Sequence, residues 1–171
     1  MQRDWPQDIF AVLREAEVRQ VPYVPDGGHA ALIRAVHAEP SMRAIPLTTE
    51  EEGIPLLAGA HLAGQRGALL MQSSGVGNCV NMLSLTKVCA FPLLMLVTMR
   101  GEWAESNPWQ VPMGSRVEAA FGLMGVEVLR ATRPEEAGET VAAAARMAFL
   151  GGNAMAVLIS QRLVGAKLFT E

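Results

Sequence analysis

Carboxylates set among glycine-rich turns are the residues of this chain best suited to chemistry, and four short segments hold them or their possible partners. They are Pro25-Asp26-Gly27-Gly28, Thr48-Thr49-Glu50-Glu51-Glu52, Ser73-Ser74-Gly75-Val76-Gly77-Asn78, and Arg100-Gly101-Glu102 with the irregular stretch up to Gly114. A carboxylate between a strand end and a helix start can be stripped of enough water to share a proton with a basic ring nitrogen. The acidic triplet also has a purely structural reading. Thr48 with Glu51, or Thr49 with Glu52, fits a capping box, and carboxylates in a first helical turn favour the helix dipole. Asp26 reads equally as a turn-forming residue and as a proton carrier. The Gly75-Val76-Gly77 turn resembles a phosphate cradle, but Val80 stands where GxGxxG requires its third glycine and no GK[ST] follows. Arg100 and Arg116 are loop arginines that either bind an anion or lie solvated. His61, among Ile54, Leu57, Ala58 and Leu62, reads first as a core histidine.

A metal site in the chain itself is not expected. His29, His37 and His61 fall in different elements without a second ligand at metal spacing. Cys79 and Cys89, ten positions apart, match neither a CxxC pair nor a zinc knuckle and read as buried thiols.

The elements that must position these turns follow from hydrophobic period. Apolar runs rich in Val, Leu and Ile alternate with amphipathic helical stretches, which is how a parallel sheet covered on both faces is written. Helices are expected over 5–19, 30–37, 50–63, 78–88, 116–124 and 134–150, and strands over 21–24, 44–47, 68–72, 93–98, 126–129 and 154–159. The fold class is therefore α/β: a three-layer domain with a central, mostly parallel six-stranded sheet and helices on both faces. No linker or repeat divides residues 1–171, so one domain is expected. In such sheets ligands sit outside the carboxyl ends of the strands, where all four segments fall. The loop from Arg100 to Gly114, with Pro108, Pro112 and two tryptophans, is long enough to suggest function.

The chain has 171 residues, 50% apolar and 18% charged, with a formal net charge of −3. That is the balance of a folded domain with no electrostatic footprint for nucleic acid. The longest apolar stretch, 90–99, contains Pro92 and is half of the roughly 20 residues a membrane span needs. The opening Gln2, Arg3 and Asp4 do not form a secretory signal, so a cytoplasmic location is expected.

Taken together, the segments resemble a known family. Leu47-Thr48-Thr49-Glu50-Glu51-Glu52-Gly53, continuing to Ala58-Gly59-Ala60-His61-Leu62-Ala63-Gly64, is similar to the pyrimidine-binding domain of thiamine-diphosphate enzymes. Within them it resembles the alpha subunits of sulfopyruvate decarboxylase and the related phosphonopyruvate decarboxylases. Met71-Gln72-Ser73-Ser74-Gly75-Val76-Gly77-Asn78 resembles the MQNSGLGN segment of that family. Val24-Pro25-Asp26, Met99-Arg100-Gly101-Glu102 and Gln110-Val111-Pro112-Met113-Gly114 resemble further blocks in the same order.

The resemblance implies thiamine diphosphate as cofactor, with Mg2+ held by the diphosphate and a partner subunit. It implies a glutamate on the aminopyrimidine. Counting from Ala58-Gly59-Ala60-His61-Leu62 gives Glu51, with Glu50 and Glu52 as alternative registers. Ser74, Gly75, Gly77 and Asn78 would line the cofactor, Asp26 would transfer protons, and Arg100, Gln110 and His61 would meet the substrate. No GDG…N signature for the diphosphate is present, which implies a beta subunit carrying that domain. A hetero-oligomer is then expected, or a homo-oligomer when the chain is expressed alone. The implied reaction is decarboxylation of sulfopyruvate to sulfoacetaldehyde and carbon dioxide. Alternatives are phosphonopyruvate or another 2-oxo acid, a carboligase, and a non-catalytic partner subunit. Three departures bear on the substrate: Thr49 stands for Arg in TREEE, Ser73 for Asn in QNSG, and His61 for Tyr.

Overall fold

A computed structural model of the chain describes residues 4–165. Six strands form one sheet: β1 (Val18–Tyr23), β2 (Arg43–Pro46), β3 (Arg66–Gln72), β4 (Leu93–Thr98), β5 (Glu127–Ala131) and β6 (Ala154–Ile159). Their order is β2-β1-β3-β4-β6-β5 and every ladder is parallel. Alternate residues of the central strands bury opposite faces, as a period of two dictates. Leu94 and Leu96 of β4 join Leu70, Met155 and Val157 in one core layer. Leu93, Met95 and Val97 join Leu69, Met71 and Leu158 in the other.

The first layer is closed by α1 (Trp5–Glu15), α2 (Ala30–Ala38) and α8 (Pro134–Phe149). The second is closed by α3 (Gly53–Leu62), α4 (Val76–Cys79), α5 (Ser84–Val88) and α7 (Val117–Leu123). Two short helices complete the described residues: α6 (Val111–Gly114) within the long loop and α9 (Gln161–Val164) after β6.

The expected sequence of strands and helices is present, with shifted boundaries. Helix α1 stops at Glu15 instead of 19, because Glu17 turns left-handed at φ 58° and feeds β1 three residues early. The helix expected over 50–63 opens with a 3-10 turn, Glu50–Glu52, and becomes α-helical at Gly53. Pro55 has no N–H to donate back to Glu51, so an α-helical bond cannot form there. The helix expected over 78–88 is broken into a 3-10 turn, Ser73–Gly75, followed by α4 and α5. Gly75 and Gly77 pay the backbone entropy that makes glycine a poor helix interior. The helix α9, absent from the sequence expectation, is capped by Ser160, whose Oγ accepts from the Arg162 N–H.

This strand order creates the site. Strands β1 and β3 are neighbours, yet the chain leaves β1 into α2 on one face and leaves β3 into α4 on the other. Their carboxyl ends are a switch point, where a crevice opens because the two connections diverge.

Candidate functional site

Four turns meet over that crevice. Asp26 follows β1, and its carboxylate accepts from Gln72 Nε2 at 2.9 Å, Thr98 Oγ1 at 2.6 Å and the Gly28 N–H at 3.0 Å. Gln72 and Thr98 are the last residues of β3 and β4, so sheet register fixes these donors. Ser74 Oγ donates to Gln72 Oε1 at 2.9 Å, which extends the chain to Ser74→Gln72→Asp26. A Cβ at Gly28 would lie 2.8 Å from Asp26 Oδ2, so a glycine is needed for this close approach.

The acidic triplet divides three ways. Glu50 is 8% exposed and takes a hydrogen bond on Oε2 from Asn78 Nδ2 at 2.8 Å. Its carboxyl group lies against Gly75, where a Cβ would collide with it. Glu51 accepts from its neighbour Thr49 Oγ1 at 2.5 Å, and Glu52 accepts from the Thr48 N–H at 2.9 Å. A cleft of about 110 Å3 is lined by Val24, Pro25, Asp26, Glu50, Gln72 and Ser74. Neither expected capping box forms: the N-cap Thr49 makes no side-chain cap hydrogen bond, and Glu52 reaches back to the Thr48 N–H instead. Glu50, the glutamate not taken by a threonine, lines the cleft with Asp26.

On the other side of Asp26 lies a second cavity of about 230 Å3, lined by Gly28, Thr98 and Arg100 among others. Arg100 is 4% exposed, which corrects the expectation of a solvated loop arginine. Its Nε and Nη2 each reach Glu105 at 2.6 Å in a bidentate pair. The pair forms because a guanidinium taken from water needs a fork of acceptors. Arg100 holds the Glu105 carboxyl down at about 2, helped by N–H groups of Asn107 and Gly101 and the Gln161 amide. The buried Ser73 hydroxyl ties the turn after β3 to the end of β4: Oγ accepts from the Arg100 N–H at 3.0 Å.

Gln110 comes to the same end of the sheet. Gly101 at φ 77° packs on the Gln110 carbonyl, and Gly114 on the Arg100 carbonyl, each too closely for a Cβ. The Gln110 Oε1 is buried without a hydrogen-bond partner. Gly77 packs beside Met113, where a Cβ would sit 3.2 Å from Sδ. His61 departs from expectation: it is exposed in the last turn of α3, neither in the core nor in the cleft. Ile54 and Leu57 bury the inner face of α3, while Leu62 is 88% exposed, so the apolar character of this helix does not mark a buried stripe.

His29, Gln72, Thr98, Glu105 and Gln161 are site-end residues that sequence reasoning did not assign. Thr98 had a readable signal, a hydroxyl closing an otherwise apolar strand at its carboxyl end. His29 is fully buried, its Nε2 3.0 Å from the Leu96 carbonyl and its Nδ1 without a partner. Burial pushes its pKa down, against the opposing pull of Asp26 and backbone carbonyls. Cys79 is raised to about 12 by burial and by Glu50 and Glu51, so its thiol stays protonated and unreactive. Cys89, by contrast, is exposed. Among the described residues no three His, Cys, Asp or Glu side chains gather to hold a metal ion, and no helix is long and apolar enough to cross a membrane. A larger cavity, about 500 Å3, opens at the amino ends of β1 to β3 and touches none of these residues.

The arrangement can hold a flat, nitrogen-bearing ring against Glu50 and bring a carboxylate, Asp26, beside its reacting edge. Comparisons with known proteins bear on which ring. The family model for the thiamine pyrophosphate enzyme, N-terminal TPP binding domain matches residues 4–119. The chain is 33% identical over 160 residues to sulfopyruvate decarboxylase subunit alpha of Methanothermobacter thermautotrophicus, covering 93% of this chain and 97% of that one. It is 34% identical over 130 residues to the same subunit of Methanocaldococcus jannaschii, covering 75% and 77%. It is 33% identical over 111 residues to phosphonopyruvate decarboxylase of Streptomyces viridochromogenes, covering 64% of this chain and 28% of that one. In fold it matches a 2-oxoglutarate:ferredoxin oxidoreductase from Magnetococcus marinus at a TM-score of 0.77 and 14% identity, over 94% of this chain and 29% of that one.

Proposed function

The chain belongs to the thiamine pyrophosphate enzyme, N-terminal TPP binding domain family, and from that premise we propose that it is the pyrimidine-binding alpha subunit of a two-chain sulfopyruvate decarboxylase. The observation that carries this reading is the Glu50 carboxyl group, buried at the β1/β3 crevice with, among the described residues, one oxygen engaged by a protein donor. Oε1 is left to meet a ring nitrogen, and Gly75, with no Cβ, leaves room for the Glu50 carboxyl group itself. The donor set therefore fits an aminopyrimidine.

When bound, thiamine diphosphate supplies the carbon nucleophile for a 2-oxo carbonyl and the ring that takes up the electrons as carbon dioxide leaves. The protein's part is orientation and proton handling. Glu50 would hold the pyrimidine through Oε1, its other oxygen being fixed by Asn78. Asp26, held by Gln72, Thr98 and Gly28, places a carboxyl group at the cleft edge. Ser74 and Gly77 shape the turn against which the cofactor rests. Arg100 and Gln110 face the substrate side. Mg2+ belongs with the diphosphate, on a beta subunit that covers the open end of the crevice and supplies the rest of the site.

Glu51 remains the residue that motif counting selects, and the two glutamates can be told apart. Aldehyde release from sulfopyruvate is followed with this chain, its diphosphate-binding partner, thiamine diphosphate and Mg2+. Turnover requiring both chains is expected, and a formed complex inert towards sulfopyruvate would defeat the reading. Glu50→Gln is expected to lower kcat at least 100-fold, in the range lost with a positioned acid or base, and Glu51→Gln to stay within a few-fold. The reverse result would return the role to Glu51. Phosphonopyruvate and pyruvate are run alongside, because likeness to phosphonopyruvate decarboxylases and the Thr49 departure favour these as second substrates.

A further inference from the structure

The long loop after β4 has little regular structure, yet it carries Arg100 and Gln110 to the cleft. What holds it is the side chain of Gln161, a residue beyond the carboxyl end of β6 that is 0% exposed. Its Oε1 accepts from two successive backbone N–H groups, Glu102 and Trp103, each at 3.1 Å. Its Nε2 donates to Glu105 Oε2 at 2.9 Å. Its own N–H donates to Glu102 Oε1 at 2.8 Å, where the Ser160 hydroxyl also bonds. Glu105 in turn collects Arg100, the Gly101 N–H and the Asn107 N–H. Only an uncharged group with both an acceptor and a donor can serve this place, since one end must accept from the main chain while the other donates to a carboxylate.

We propose that Gln161 is a positioning residue, whose amide locks the 101–107 segment and, through Glu105, sets the Arg100 guanidinium beside Asp26. The inference rests on the reading of the cleft as a 2-oxo acid site. Arg100 has both Nε and Nη2 committed to Glu105, so its remaining N–H edge is aimed by that pair alone. Loss of the Gln161 donor frees Glu105 to turn, and Arg100 turns with it. Misplacement of about 1 Å in a positioning group can cost up to 100-fold in rate. The cofactor side hangs on different supports, Asn78, Gly75 and the β3 turn, and should not respond.

Gln161→Glu tests this, because it keeps shape while replacing the donor to Glu105 with an acceptor. The ionisable groups around it are Glu102, Glu105 and Arg100 on the loop, Arg130 on β5, and Arg162 on α9, with Asp26 acting on Arg100. In the assembled enzyme at pH 8, KM for the 2-oxo acid is expected to rise about tenfold, in keeping with that sensitivity, with the thiamine diphosphate needed for half-activation unchanged. At pH 5.5 the introduced carboxyl can hold a proton and donate again, so KM should return towards the unaltered value. Hydrogen exchange across residues 100–108 of this chain should quicken at pH 8 and not at pH 5.5, relative to the unaltered protein. Gln161→Asn, too short to span but uncharged, should raise KM at both pH values.

An unchanged KM, or a cofactor requirement that shifts as much as KM, would overturn the proposal. So would exchange that quickens equally at both pH values in Gln161→Glu. Exchange is measured without turnover. If the unaltered complex is inactive, the decarboxylase reading fails while the lock itself stands or falls on exchange alone.

Discussion

At the scale of single residues, the Glu50 carboxyl group fills the space that a side chain at position 75 would need. Gly75→Ala would place a methyl group there, so the Glu50 side chain must swing away and give up its hydrogen bond to Asn78. We expect the affinity for thiamine diphosphate, read by half-activation, to fall at least tenfold, about 1.4 kcal/mol. Ser74→Ala, which removes only the hydroxyl donor to Gln72, should cost less. The acidic triplet was legible here as a motif, but which of its three carboxylates lines the cleft was not, because the residue types do not announce that Glu50–Glu52 is a 3-10 turn, which advances 120° per residue instead of 100°. Arg100 was likewise named from its loop, but the sequence carries no sign that Glu105, five residues on, would claim it.

At the scale of elements, the strands were the most readable part of the chain. Strand β4 is apolar at five of six positions and buried at all six, so composition alone marks it as the sheet centre. Leu96 packs in the layer under α8 with no exposure, and Leu96→Ala should destabilise by about 2–5 kcal/mol, the range for deleting such a side chain from a closed core. Urea denaturation reads this as a lower midpoint with an unchanged slope. Boundaries were less legible because they depend on single backbone conformations. The turn at Glu17 sets where α1 yields to β1, and nothing in the residue type announces a left-handed glutamate. The helix after the glycine turn was overestimated because its apolar residues, Val76, Cys79 and Leu83, are spaced as in one helix although the backbone breaks between them.

At the scale of the whole molecule, the buried ionisable groups fix how the fold answers to acid. His29 has its pKa lowered by burial. Its contribution is therefore intact above its ordinary value near 6.5, and stability falls below it, because the unfolded chain takes up the proton first. Glu105, lowered from 4.5 to about 2 by Arg100, contributes fully above pH 4.5 and loses that contribution as pH falls from there towards 2. Unfolding free energies measured from pH 7.5 to 3 should decline in two stages, and His29→Gln should remove the first while leaving the second. A single decline beginning only below pH 4.5 in the unaltered chain would contradict the role given to His29. The outer surface adds a further trait: Trp109 is 80% exposed, and Leu62, Val88, Leu123 and Leu150 are exposed with it.

The switch point between β1 and β3 gives the two halves of the crevice different mechanical foundations. Asp26 and Gln72 leave strands that are hydrogen-bonded to each other, with Tyr23 in register with Leu70, so the spacing on that side is inherited from the backbone ladder. Arg100 is held by side-chain bonds to a loop carboxylate, Glu105, and Gln110 by the close approach of Gly101 to its carbonyl, with Gln161 as the proposed splint. On the proposed reading of the loop as the substrate side, substitutions there would remodel which acid is accepted without disturbing the ladder side. A lineage of such chains could change its diet while keeping its cofactor, one loop residue at a time.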